Sequence, residues 1–162
     1  MNADAFRYLY NYHFSEYHKI WDSYILLLSQ DQFTQQVGYS HGSIRNQVIH
    51  LINAENMWFS ELSGAVVAED LKPEELSNRD LIRTRWDETE KMVRSYLDGL
   101  RDDMLFSKPI VFEEDKDLMV WQVLLHVANH GTDHRAQLLR ILHDFGLKTI
   151  SQDFIFYVYD HM

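Results

Sequence analysis

A chain of 162 residues with 46% hydrophobic and 14% aromatic residues has the length and apolar content to bury a real core, and it is read as one domain over residues 1–162. Its formal net charge of −10, with no local basic stretch, argues against nonspecific nucleic-acid binding, because phosphate contacts need clustered Lys and Arg. Cysteine is absent, so there is no disulfide and no thiolate nucleophile or metal ligand; any sulfur chemistry must bring its sulfur on a small molecule.

The N-terminal "MNADAFRYLYNYHFSEYHKI" has no charged-then-apolar signal pattern, and no apolar run approaches about 18 residues. The expectation is a cytoplasmic protein with no membrane association. Helical periodicity begins at about Asp4 and continues to Ser29, where Phe6, Leu9, Tyr10, Tyr17, Ile20, Tyr24, Leu27 and Leu28 gather on one face at 100° per residue. The polar stretch "SQDQFTQQVGYSHG" separates it from a second helix, Ile44 to Leu62, with Ser43 as N-cap and a stripe of Ile44, Val48, Leu51, Trp58, Phe59 and Leu62.

Pro73, in "SGAVVAEDLKPEEL", interrupts that pattern. "SNRD" at Ser77–Asp80 then reads as a capping box opening a third helix, whose buried side carries Ile82, Trp86, Val93, Leu97 and Leu100. Ile110-Val111-Phe112 suggests a short extended segment. The fourth helix runs from about Leu118 to Phe145 and stops at Gly146, a residue suited to the C′ position. The aromatic tail "SQDFIFYVYDHM" reads as a short helix or strand on the bundle end, or as a dimer contact. Four amphipathic helices in a chain of this size make a four-helix bundle.

The fourth helix carries His126, His130 and His134, each four residues after the last. Neighbours at that spacing differ by about 40° and about 6 Å, so a pair can reach one ion. The outer two stand about 80° and 12 Å apart and cannot share one. Around the helix, His134 lies about 60° from the centre of the apolar stripe, His130 about 100° and His126 about 140°. His130 and His134 are therefore the pair at the edge of the core, and His50 sits at the corresponding boundary of the second helix. These positions suit a shared metal; they also suit boundary imidazoles satisfied by water or backbone carbonyls.

Glu55 falls near the centre of the second helix's apolar face, and Arg135 about 40° from the fourth helix's stripe centre. A buried unpaired charge is so costly that each must pair with the other or with another polar group, either fixing register or orienting a ligand histidine. His13 lies mid-stripe on the first helix and reads as a satisfied core histidine, with a fourth-ligand role as the alternative. His18, His41, His143 and His161 show no pattern and read as surface residues.

"HVANHGTDHRAQLLRILHDFG", preceded by "VWQVLL", together with "SIRNQVIHLINAENMWF", resembles the signature of the DinB-like (DNA-damage-inducible) family. The likeness spans almost the whole chain and is weakest in the third helix. It implies an all-α, up-down-down-up four-helix bundle with long connections, a homodimer, and a divalent metal held by three histidines. Those ligands fall on His50, His130 and His134. Asp133 and Ala136 depart from the residues common at those positions; Asp133 should face away from the pair, and neither change endangers the ligands. The family name denotes induction by damage; the acidic charge here gives no support for DNA binding.

The resemblance further implies a metal-dependent S-transferase, acting with a low-molecular-weight thiol on electrophiles in stress or detoxification. Three imidazoles suit Zn or Ni, and also Fe or Cu. The other readings are a non-catalytic metal- or ligand-binding dimer of the stress response, and a helical interaction module whose histidines are incidental. No Glu-x-x-His repeat supports a carboxylate di-iron centre, no His-Glu-x-x-His a zincin, and no Gly-rich loop a phosphate site.

Overall fold

The four amphipathic stretches fold as helices in the computed structural model, which describes residues 1–162. They are α1 (Ala3–Ser23), α3 (Ile44–Ser63), α4 (Arg79–Asp98) and α5 (Val120–Asp144); the short helices α2 (Gln30–Thr34) and α6 (Phe154–Asp160) complete an all-α chain without strands. Around the bundle, α1 packs on α4 and α5, and α3 packs on the same two, so α1 and α3 face each other diagonally.

Cross-helix contacts set the directions. Arg7, at the start of α1, donates through Nε to Leu97 O at the end of α4 (2.9 Å), while Asp22 meets Arg83 at the other end, so these helices are antiparallel. Tyr10 hydroxyl donates to Leu124 O, and the His13 ring abuts Gly131, so α1 and α5 run parallel. His50 meets His130 and Trp58 meets His126, which makes α3 and α5 antiparallel. The order is up-down-down-up. Parallel α3 and α4 require the long crossover that Pro73 occupies.

The helix ends follow local chemistry, with two differences from expectation. Ser43 caps α3 through Asn46 N, as its sequence position predicts. Gly146 closes α5 at φ +88, a conformation nearly free of cost for glycine alone. The cap of α4, however, is Asn78, whose side chain accepts from Leu81 N, and not Ser77.

The first helix ends at Ser23, short of the expected Ser29. Arg79 reaches across to donate to Ile25 O (2.9 Å) and Leu28 O (2.8 Å), satisfying carbonyls of a 3₁₀ turn in place of a continued helix and leaving Leu27 71% exposed. Ile110 is buried, but no strand forms around it. The aromatic tail takes the helical option: α6 lays Phe154 and Tyr157 edge-on against Tyr8 and Tyr12 of α1. No helix is long and apolar enough to cross a membrane.

Candidate metal centre

The antiparallel α3–α5 seam brings the three expected histidines together. His50 Nε2 lies 3.1 Å from His130 Nε2, and ring centroids are 4.6 Å apart for His50–His134 and 4.2 Å for His130–His134. Burial along α5 follows the angular gradient: His134 is buried, His130 half-buried and His126 exposed. His126 stays at the rim, its ring 5.8 Å from that of His130.

A fourth imidazole joins from the loop ahead of α3. His41 is exposed, as a surface residue should be, yet its ring stacks on His50 at 3.9 Å and lies 5.3 Å from His134. Donor atoms of His41, His50 and His134 all fall within 4.8 Å of one another, close enough to hold a metal ion, so this trio has His41 where the expected set had His130. Reading His41 as patternless missed this. A loop residue has no periodicity to betray it; the available signal was the Gly42-Ser43 pair immediately after it, where the chain bends into the first turn of α3. Asn46 Nδ2 donates to His41 O (3.0 Å), and the Ser40 hydroxyl bonds both Gln47 of α3 and Gln137 of α5, so the loop is tied to both walls.

Behind the cluster lies Gln47, fully buried, with its amide nitrogen 2.7 Å from His134 Nδ1 and 2.8 Å from Gln137 Oε1. With the Gln47 amide donating to Nδ1, the ring is fixed and its proton sits on Nε2, so a metal on Nε2 requires the Gln47 amide to turn its oxygen toward Nδ1–H.

Burial first, and then the neighbouring imidazoles, pull the pKa of His50 down to about 4 and that of His130 down to about 3. Burial likewise lowers the His41 and His134 values. The rings are thus neutral near pH 7, with lone pairs available. Two nitrogens held tetrahedrally at 2.0–2.1 Å from one ion stand roughly 3.3 Å apart, so the 3.1 Å His50–His130 contact already has the spacing of a shared cation. The donor set fits a borderline divalent metal.

These shifts make an acid-stability prediction for metal-free protein. The unfolded chain protonates its histidines below about pH 6.5, whereas the folded chain refuses protons at His50 and His130 until about pH 4 and about pH 3. Stability is therefore complete above about pH 6.5 and falls as the pH drops toward 4. Urea titrations with chelator at pH 7, 5.5 and 4.5 should show that decline, and it should be shallower in His50→Gln.

On the far side of α5, a buried relay joins three helices. His13 Nε2 donates to Glu55 Oε1 at 2.8 Å, and His13 Nδ1 accepts from Arg135 Nη1 at 3.0 Å; each of the three residues is at most 1% exposed. Arg135 also donates to Gln152 Oε1 (2.7 Å) and Thr132 Oγ1 (3.0 Å) and lies over the Tyr17 ring. Glu55 and Arg135 are paired as expected, though through His13 and not directly. His13 is the satisfied core histidine, committed at both nitrogens and unavailable as a fourth ligand. Neither Glu55 nor Arg135 bonds a histidine of the cluster. Glu55 Oε2 and the Tyr17 hydroxyl are buried without partners, and burial followed by the Glu55 charge pushes the Tyr17 pKa well up.

The fold and the seam define a helical bundle that gathers imidazoles between two antiparallel helices. The DinB family model matches residues 1–161, and the chain belongs to that family, a four-helix bundle fold. Among curated proteins none matches the chain.

Proposed function

We propose that the protein holds a divalent metal, Zn or Ni before Fe or Cu, on His50, His130 and His134, and uses it to transfer a low-molecular-weight thiol to an electrophile. The observation that supports this reading is the convergence of neutral imidazoles from α3 and α5, with 3.1 Å between two Nε2 atoms. A bound divalent ion supplies Lewis acidity and lowers the pKa of a thiol or water brought to it. The chain's own part is to present unprotonated rings, to fix His134 through Gln47, and to keep the seam open toward His126. The absence of cysteine suits such chemistry, since no internal thiol competes for the metal.

His41 favours one second reading. If His41 closes the coordination sphere beside the other three, the site is structural and the protein is a non-catalytic metal-binding member of its family. Metal content of untagged protein separates the readings. Wild type should carry close to one equivalent, and His50→Ala and His134→Ala close to none. Under the catalytic reading His41→Ala retains its metal, conjugates thiol to an electrophile panel, and does so only when loaded. Loss of metal from His41→Ala as severe as from His50→Ala would establish the closed site. A metal-free wild type would dispose of both.

A further inference from the structure

The seam does not end at the histidines. One turn back along α5, His126 stands beside Trp58 of α3, their rings 5.3 Å apart and nearly perpendicular at 72°. Beyond them opens a cleft of about 240 Å³ lined by Trp58, Leu118, Gln122, Val123 and His126. Rings therefore follow one another along the groove: His50 meets His130, His130 lies 5.8 Å from His126, and His126 abuts Trp58.

We propose that this cleft is the subsite for an aromatic or branched apolar group on the small molecule whose donor end meets the histidine cluster. The inference deepens the proposed function and rests on it for the position of the donor end. Three features carry it.

The lining has no carboxylate, ammonium or guanidinium; its walls are indole, imidazole and aliphatic carbon with one amide, that of Gln122, whose oxygen already accepts from Met119 N. It would reject a charged tail and stack a flat one. The volume exceeds the roughly 150 Å³ of a dry cavity that takes benzene, yet is below that of a complete drug-sized site, as a subsite should be. Finally, it neighbours the cluster, with the His126 wall 5.8 Å from the His130 ring. His126 lies about 6 Å along the axis from His130, and Trp58 about 12 Å from His50. A ligand with a few bonds between its sulfur and its ring spans that interval. The polar grooves around His18 and Arg94 offer nothing comparable, because Glu90 is already engaged by both residues. His126 becomes a specificity-determining wall of the ligand channel, not a metal ligand.

The test uses zinc-loaded full-length protein and two thiols, 4-phenylbutane-1-thiol and butane-1-thiol, compared by isothermal titration. The phenyl-bearing thiol should bind about tenfold more tightly to wild type, the value of one stacked ring. Trp58→Ala removes a wall and Leu118→Trp fills the cleft; each should bring the preference below about threefold while zinc content, measured separately, stays at the wild-type level. The second variant decides the matter should the first fail to fold. Toluene, which has no donor, should shift the Val123 amide resonance in wild type whether or not zinc is present.

Equal affinity for the two thiols in zinc-loaded wild type, or a preference that survives Leu118→Trp, overturns the subsite and leaves the metal reading standing. A wild type that takes up no zinc defeats the metal reading alone, because the toluene shift at Val123 then decides the cleft: present, it supports the subsite; absent, it ends it.

Discussion

Arg135→Met should be among the most damaging single substitutions in the chain, costing about 3–5 kcal/mol in urea denaturation. Arg135 is fully buried, and its charge is balanced through His13 by Glu55, which is 1% exposed. Removing the guanidinium deprives His13 Nδ1 of its donor and leaves the carboxylate without a compensating cation in a region water does not reach. For a protein whose total stability is of order 5–15 kcal/mol, that loss is a large fraction of the whole.

The double variant Glu55→Gln/Arg135→Met should be less destabilised than the sum of the single changes, by about 0.5–3 kcal/mol, since the second change removes the charge that the first one stranded. Additive losses would mean that the three residues do not act as a unit. Folded Glu55→Gln should keep its metal, because the relay bonds none of the clustered histidines.

What the sequence made legible divides along the same physical line. Periodicity within one helix is enough to predict which residues face inward. It foretold the stripes of the four long helices, except Leu27 beyond the end of α1, and the graded burial of His126, His130 and His134, because rotation by 100° per residue is a property of one segment. It also showed that Glu55 and Arg135 must find partners, since the cost of burial does not depend on what the partner is.

Periodicity is silent on features that depend on several segments at once. His13 bridges that pair only because α1, α3 and α5 meet at one level, a cross-helix register that no single helix encodes. The early end of α1 has the same origin, as Arg79 arrives from α4 to hold carbonyls that an unbroken helix would have used. His41 was hidden for a different reason. It lies on a loop, where direction is set by turn geometry and by the Ser40 bonds to α3 and α5. The cleft beside Trp58 belongs to the first kind, since it needs two helices and the segment before α5 to enclose it.

Gly131→Ala tests whether that cross-helix register is as tight as the relay requires. A Cβ at this position would stand 2.2 Å from His13 Cε1 and 2.7 Å from the Tyr17 hydroxyl oxygen, well inside van der Waals contact. The imidazole cannot swing aside, for Glu55 holds one nitrogen and Arg135 the other. Either α1 retreats from α5 or the relay breaks. Overpacking of this kind costs about 1–3 kcal/mol, and the broken charged hydrogen bond about 1.5–3 kcal/mol more. Alanine's better helix propensity returns only about 1 kcal/mol, so the net change is destabilising.

At roughly 2–4 °C per kcal/mol for a chain of this size, a net cost of about 1.5–5 kcal/mol should lower the melting temperature by about 3–20 °C in metal-free protein. Gly131 also lies between His130 and His134 on α5, so any displacement of that turn alters the approach of both rings to His50. Metal affinity should therefore fall together with stability, although the substitution touches no ligand. A Gly131→Ala protein as stable as wild type would show that α1 and α5 are not in such close contact, and the relay geometry built on that contact would have to be abandoned.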